Sequence, residues 1–171
     1  RFLALDIVVQ SGDGYWLHGS DYNMYVDPKG VLHMVHHDTN ESFSAHGPRR
    51  GAPKTAEVDP FAKIDDENKA LRNKLLAVPK FRRKYLEYVR DIARDSLDWQ
   101  VMGPKIEALR KLIAADVAKG TRKLYATEKF DTEVFGDGEG ELSPETIKGF
   151  IQQRRAFLLA HPDIKALDDT R

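Results

Sequence analysis

The sequence predicts an α+β fold, a small β-hairpin packed on a mostly helical body. Three observations carry it. Strand-forming runs flank a "DPKG" turn before residue 43. Four stretches with helical spacing of apolar residues follow residue 60. The unusual polar residues, five of the six histidines among them, lie ahead of residue 47. This divides the chain into a hairpin-bearing segment at 1–43 with the chemistry, a loop at 44–59, a helical remainder of the same unit at 60–165 and a tail at 166–171.

The elements follow in order. "FLALDIVVQ" is apolar except at Asp6 and Gln10. A buried strand would fit, but Leu3, Ile7 and Gln10 share a helix face, and the end of a helix is the preferred reading. "SGDGY" then breaks the element. "DYNMYVDPKGVLHMVHH" reads as a hairpin: Pro28 presets its dihedral and Gly30 permits a left-handed exit. Asp27, just before Pro28, is a turn former. From Ser44 to Asp59 a polar stretch broken by Gly and Pro, with Arg49, Arg50 and Lys54, reads as a loop.

A helix is expected over about 66–78, with Leu71, Leu75 and Val78 on one side. Pro79 opens the next, at a position where its missing donor costs nothing, and Phe81, Tyr85, Tyr88, Val89 and Ile92 form the stripe. A third is expected from Pro104 to Lys119, buried through Ile106, Leu109, Leu112, Ile113 and Val117 and closed by Gly120. The last has Ser143 as cap and Pro144 as first residue, with Ile147, Phe150, Ile151, Phe157 and Leu158 inward. From Asp163 onward the chain reads as a frayed end.

With 171 residues the chain suffices for one domain with a sizeable core. The 27 basic and 27 acidic residues balance, so nothing argues for nucleic acid or an anionic membrane as a partner. The apolar runs are too short to span a bilayer. Without cysteine, disulfides, thiolate chemistry and cysteine-ligated zinc are excluded. The chain opens inside an apolar segment without methionine. A C-terminal piece of a longer protein is therefore expected, or a trimmed N-terminus.

The polar residues ahead of residue 47 admit several chemistries. A zinc site could draw on His33, His37 and either His18 or His46, but strand alternation separates His33 and His37 from His36, and no HExxH spacing is present. The carboxylates make a better case. Asp13 stands in a glycine-flanked turn; Asp38 ends the second strand, followed by Asn40 and Glu41. Oxygen ligands suit magnesium or manganese. Phosphoryl transfer needs one such group on the metal and another to orient or deprotonate the incoming hydroxyl. Surface-turn carboxylates remain the simpler alternative. "FGDGEGELSPE" fails as a calcium loop, because placing Gly140 at the central glycine puts Phe135 at the first ligand position and Thr146 at the last. Tyr15, Trp16, Tyr22 and Tyr25 could line a cleft or pack the sheet on the helices.

"ALDIVVQSGDGY", "DYNMYVDPKGVLHMVHHDTNESF", "PKFRRKYLEYVRDI", "ADVAKGTRKLYATEKF" and "GFIQQRRAFLLAHP" together resemble the C-terminal part of the CotH kinase family, atypical protein kinases known from spore-coat assembly and present in many other bacteria. The resemblance runs the whole chain and is most specific over residues 12–43. It implies the fold of an atypical kinase C-terminal lobe. The family's turn aspartate falls on Asp13, which implies the catalytic role there. Its "NYYLY" strand begins at Asn23, implying a cofactor contact. Its metal-binding aspartate falls on Asp38, with Asn40 in the second polar place. ATP, Mg2+ or Mn2+ and a protein substrate with Ser/Thr acceptors are implied with them. His36 and His37 depart from the family's proline and tryptophan, and Glu41 is an additional polar group without an assigned role. The glycine-rich loop and strand lysine of a kinase are expected on an upstream N-terminal lobe. Export, with a signal peptide further upstream, is compatible with all this. Two other functions stay open: a catalytically inactive kinase-like binding or assembly module, and a histidine-rich metal-binding domain.

Overall fold

The computed structural model describes residues 1–43, 45, 55–136 and 143–167. Helix α1 spans Phe2–Val8. A turn follows, then a two-stranded antiparallel hairpin of β1 (Tyr22–Val26) and β2 (Leu32–His36), with Met24 opposite Met34. A 3₁₀ turn at Thr39–Glu41 leaves the hairpin. The remainder is helical: α2 (Ala70–Leu76), α3 (Pro79–Asp91) running into a π-helical turn at Ile92–Ser96, α4 (Trp99–Lys119), α5 (Lys129–Phe135), α6 (Ile147–Ala160) and α7 (Pro162–Lys165). A helical body carrying a small antiparallel hairpin is the fold class expected.

The core is built from α1, the turn residues Tyr15, Trp16 and Leu17, and the inner faces of α2, α3 and α6. Ile7, Trp16, Leu76, Val89, Phe150 and Leu158 are fully or almost fully buried there. The two arms of the hairpin turn owe their geometry to Asp27. Its Oδ1 accepts from the amides of Lys29 and Val31, each at 2.9 Å, and Gly30 takes φ +78°.

Several expectations are corrected. The helix expected over 66–78 begins only at Ala70, because Asp66 closes a turn on the amides of Asn68 and Lys69. In α3 the buried stripe is Tyr85, Leu86, Val89 and Arg90, while Phe81 is exposed with Arg82 over the Phe61 ring beside it. Helix α4 starts five residues before Pro104. Asp98 is its cap, accepting from the Gln100 amide at 2.8 Å, and Pro104 sits inside. The expected buried face of α4 is open: Leu109, Leu112 and Ile113 are exposed, and only Trp99, Met102 and Ile106 of this helix reach the core among the described residues. Past Ile106, Ala114 and Val117 are half-buried while Leu109, Leu112 and Ile113 stay exposed. Among the contacts there, Arg110 of α4 bonds Glu107 and reaches Asp131 of α5 at 2.8 Å.

Helix α6 is capped by Thr146, whose hydroxyl accepts from the Gly149 amide at 3.0 Å, rather than by Ser143; Ser143 and Pro144 form the preceding turn. The fraying expected from Asp163 onward does not set in through Leu167, since Ile164 and Leu167 are buried; residues 168–171 lie outside the described residues. The run 137–142, which holds most of the calcium-like segment, lies outside the described residues, as do His46, Arg49, Arg50 and Lys54.

Candidate active site

Asp13 sits on a turn whose shape is set from both ends of its own segment. After α1, Gln10 adopts φ +49° and the chain folds back, with the Ser11 amide donating to Asp6 O at 3.2 Å and the Gly14 amide to Ser11 O at 3.2 Å. Below the turn, Trp16 donates its amide to Asp6 Oδ2 at 2.7 Å and its indole N–H to Ser11 O at 2.8 Å. The amides of Leu17, His18 and Gly19 converge on Gly14 O. Asp13 is thereby held nearly buried on a short loop with little freedom.

The segment after the hairpin is seamed to this turn. The Gly12 amide donates to Glu41 O at 3.0 Å and the Phe43 amide to Val9 O at 2.9 Å. Gly12 is what lets the two chains approach. A Cβ there would stand 3.0 Å from Glu41 Oε2 and 3.1 Å from Glu41 Cβ. One carboxylate oxygen of Asp13, Oδ1, and one of Glu41, Oε2, are shielded from solvent. Asp38 is exposed and holds a left-handed backbone (φ +45°, ψ +60°) where β2 ends and the 3₁₀ turn begins. Asn40 is exposed within that turn.

A second set of hydrogen bonds joins the base of the hairpin to the acidic turn. Tyr22 pairs with His36, and the His37 amide donates to Asp21 O at 3.0 Å. Ser20, the residue before Asp21, carries the connection back to the turn. It donates its hydroxyl to Asp13 O at 2.5 Å.

A family model described as CotH kinase protein matches residues 1–158. The chain belongs to the CotH kinase family. Comparison with curated proteins finds no match.

Within this CotH kinase chain, the segments carrying Asp13, Asp38, Asn40 and Glu41 meet, and Asn23 stands apart. Asn23 pairs with Val35, exposed on the hairpin face it shares with Tyr25 and His33. Val35 lies within β2, whereas Asp38 follows its end with a left-handed backbone. The opposite hairpin face is the anchored one: Phe2 meets Tyr22 edge-on and stacks on His36 with ring centres 4.3 Å apart. His36 is therefore a packing residue, and desolvation pushes its imidazole below the usual range. His33 is engaged by Asp27 at 3.0 Å and stacks on Tyr25. Of the four aromatic residues considered for a cleft, Tyr15 and Trp16 are core, and Tyr15 also accepts from the Leu71 amide at 3.1 Å.

The donor set of the acidic seam is carboxylate and amide oxygen, which fits a hard divalent cation rather than zinc. Among the described residues no group of three or more His, Asp or Glu is placed to hold a metal ion by itself. Magnesium in nucleotide sites is commonly held by one or two protein carboxylates, with phosphate oxygens and water completing the shell.

Sequence reasoning missed the groups beneath the site. Asp6 is fully buried; burial pushes its carboxyl up to about 7, against the Trp16 amide and the Arg72 charge, which pull it down. Arg154 is fully buried on α6 and donates to four carbonyls, those of Ile7, Val8, Ala56 and Val58, at 2.5–3.2 Å. The signal for Arg154 was available: it lies three or four residues from Phe150, Ile151 and Leu158, on the apolar face of its helix. That for Asp6 was weaker, a lone charge in an otherwise apolar run.

Proposed function

We propose that this chain is part of an ATP-dependent protein kinase that transfers the γ-phosphoryl group to Ser/Thr hydroxyls of a protein substrate, completed by an upstream N-terminal lobe. The observation that carries the reading is the Gly12–Glu41 seam, which brings the Asp13 turn and the Asp38–Glu41 segment into one place. Asp38 and Asn40 would hold Mg2+ or Mn2+ on the nucleotide phosphates. When bound, the ion neutralises charge on the phosphates. Asp13 accepts a hydrogen bond from the incoming hydroxyl and takes its proton. Its near-burial on a pinned turn suits that task, since a preorganised acceptor needs no rearrangement as the bond forms. Glu41, shielded beside Gly12, adds negative charge that favours the cation.

The experiment is phosphate incorporation from labelled ATP by the full-length protein. Asp13→Asn and Asp38→Asn should each abolish it while leaving thermal unfolding close to wild type. Unchanged incorporation in both variants rejects the mechanism. Metal-dependent ATP binding by a wild-type protein that transfers nothing would instead assign an inactive binding module.

A further inference from the structure

We propose that Asp6 is a positioning residue for the turn that carries Asp13, acting as a wedge between the Trp16 amide and the backbone of Gly14. The proposal rests on the kinase reading only for its effect on turnover. Asp6 is the one charged residue within α1 and is fully buried. Its Oδ2 accepts from Trp16, while Oδ1 has no hydrogen-bond partner and lies so close to Gly14 that a Cβ there would overlap it. The Asp6 carbonyl also accepts from the Ser11 amide, and Trp16 Nε1 donates back to Ser11 O. Residues 11–16 are thus laced at both ends to Asp6, with Asp13 and Gly14 as the apex.

A carboxylate buried with one oxygen unpartnered is costly, and an apolar side chain could fill the volume at lower cost. What no apolar residue could do is accept the Trp16 amide at the base of the turn. The charged and titratable groups facing Asp6 from the neighbouring helices are Arg72 on α2 and Tyr85 on α3. Arg154 of α6 binds the adjacent carbonyls of Ile7 and Val8. Desolvation outweighs the Arg72 attraction, so protonated and ionised Asp6 are both populated near neutral pH. The ionised form is the stronger acceptor for Trp16; the protonated form carries an O–H where Oδ1 lacks a partner. Both act on the same short turn.

The test has two arms on the full chain. In the first, the side-chain carboxyl carbon of Asp6 and the backbone amides of Asp13, Gly14 and Trp16 are followed by NMR from about pH 5 to about pH 9. The expected result is one shared midpoint near 7 for all four, absent from the three amides in Asp6→Asn. An Asp13 amide that does not follow the Asp6 carboxyl overturns the proposal, and so does a midpoint that survives in Asp6→Asn. Should that variant not fold, the wild-type titration decides alone. In the second arm, Asp6→Leu, which leaves the Trp16 amide without its acceptor, should lower kcat for phosphoryl transfer by about 10–100-fold while KM for ATP stays within about two-fold, and Asp6→Asn, which keeps an acceptor there, should recover most of the loss. Wild-type kcat in Asp6→Leu, or equal losses in the two variants, overturns the proposal. If the wild-type protein transfers no phosphate, the kinase reading fails and the NMR arm still decides the positioning.

Discussion

Replacing Arg154 by Met tests whether the N-terminal segment is held by one distant side chain. The guanidinium is fully buried and spans 146 residues of sequence to reach Val8 O. Its four carbonyl partners do not lose equally when it goes. Ala56 O keeps the Gln10 side-chain amide at 3.0 Å, and Ile7 O keeps a long bond from the Gln10 amide at 3.4 Å. Val8 O and Val58 O lose the donors that Arg154 supplies at 3.2 and 2.5 Å. Two orphaned buried acceptors at about 1–3 kcal/mol each give about 2–6 kcal/mol. Against this, Met relieves the cost of burying a cation, a cost that pushes the Arg154 pKa down to about 9. Relief of that kind makes full apolar replacement of a buried ionic group nearly neutral, but only when its partners are replaced too. Here the carbonyls stay. The net expectation is a loss of about 2–4 kcal/mol, or about 5–15 °C in Tm for a chain of this size. Equilibrium urea denaturation, read by midpoint, measures it. The adjacent Arg155→Met is the control: Arg155 is partly exposed and pairs with Asp98 at 2.9 Å, so less than about 1 kcal/mol is expected. An Arg154→Met midpoint equal to that of the control would refute the reasoning.

Gly14→Ala should destabilise by more than about 3 kcal/mol, because its methyl overlaps Asp6 Oδ1 and falls 2.8 Å from Ser11 Cβ. Gly19→Ala has open space around it and pays only for its positive φ, about 1 kcal/mol; thermal melts compare the two. Stability should fall as pH rises from about 4 to about 7, with a slope from this one group of up to about 1.4 kcal/mol per pH unit. The sign follows from Asp6: its folded carboxyl keeps a proton up to about 7 whereas the unfolded one releases it near 3.8, so the native state binds more protons in that window. Its contribution is whole below the unfolded value and is lost through the folded one, and denaturant titrations of Asp6→Asn at the two ends should show the slope reduced. Leu158→Ala, in the core, should cost about 2–5 kcal/mol, and Leu112→Ala on the open face of α4 less than about 0.5 kcal/mol, by the same denaturation.

How far the sequence could be read depended on whether the deciding interaction was local. The hairpin and its register were legible because Asp27, Pro28 and Gly30 act within a few residues. Pro79 announced the start of α3 for the same reason. Local signals also misled. Pro104 looks like a first helical residue, yet Asp98 supplies a working cap earlier and the helix continues through the proline at the expense of one backbone bond. The periodicity of Leu109, Leu112 and Ile113 is real, and Leu112 is nevertheless 75% exposed, because helical spacing shows which residues share a face and not whether anything lies against it. At the site, "SGDG" and the "HDTNE" run stood out as composition. That they meet depends on Gly12 and Glu41, 29 residues apart, for which no short-range rule exists. The resemblance supplied that pairing; periodicity could not.

Apolar burial and polar pinning are divided between the two halves of this molecule. The hairpin contributes little burial of its own: Met24, Val26, Leu32 and Val35 are exposed, and contact with α1 comes through Tyr22 and His36 on Phe2. A two-stranded ribbon so placed cannot fix an acidic side chain at its base. The fixing comes from below, through Asp6, Trp16 and the Arg154 carbonyl cluster, and from the side, through the Gly12–Glu41 bond. These are hydrogen bonds between buried groups, directional where hydrophobic contact is not. A phosphoryl-transfer site needs its oxygens held to a fraction of an ångström while the nucleotide side of the cleft opens and closes. On the proposed function, directional pins under the acidic turn, with an ordinary apolar core beneath them, would meet the first demand and leave the second to the upstream lobe.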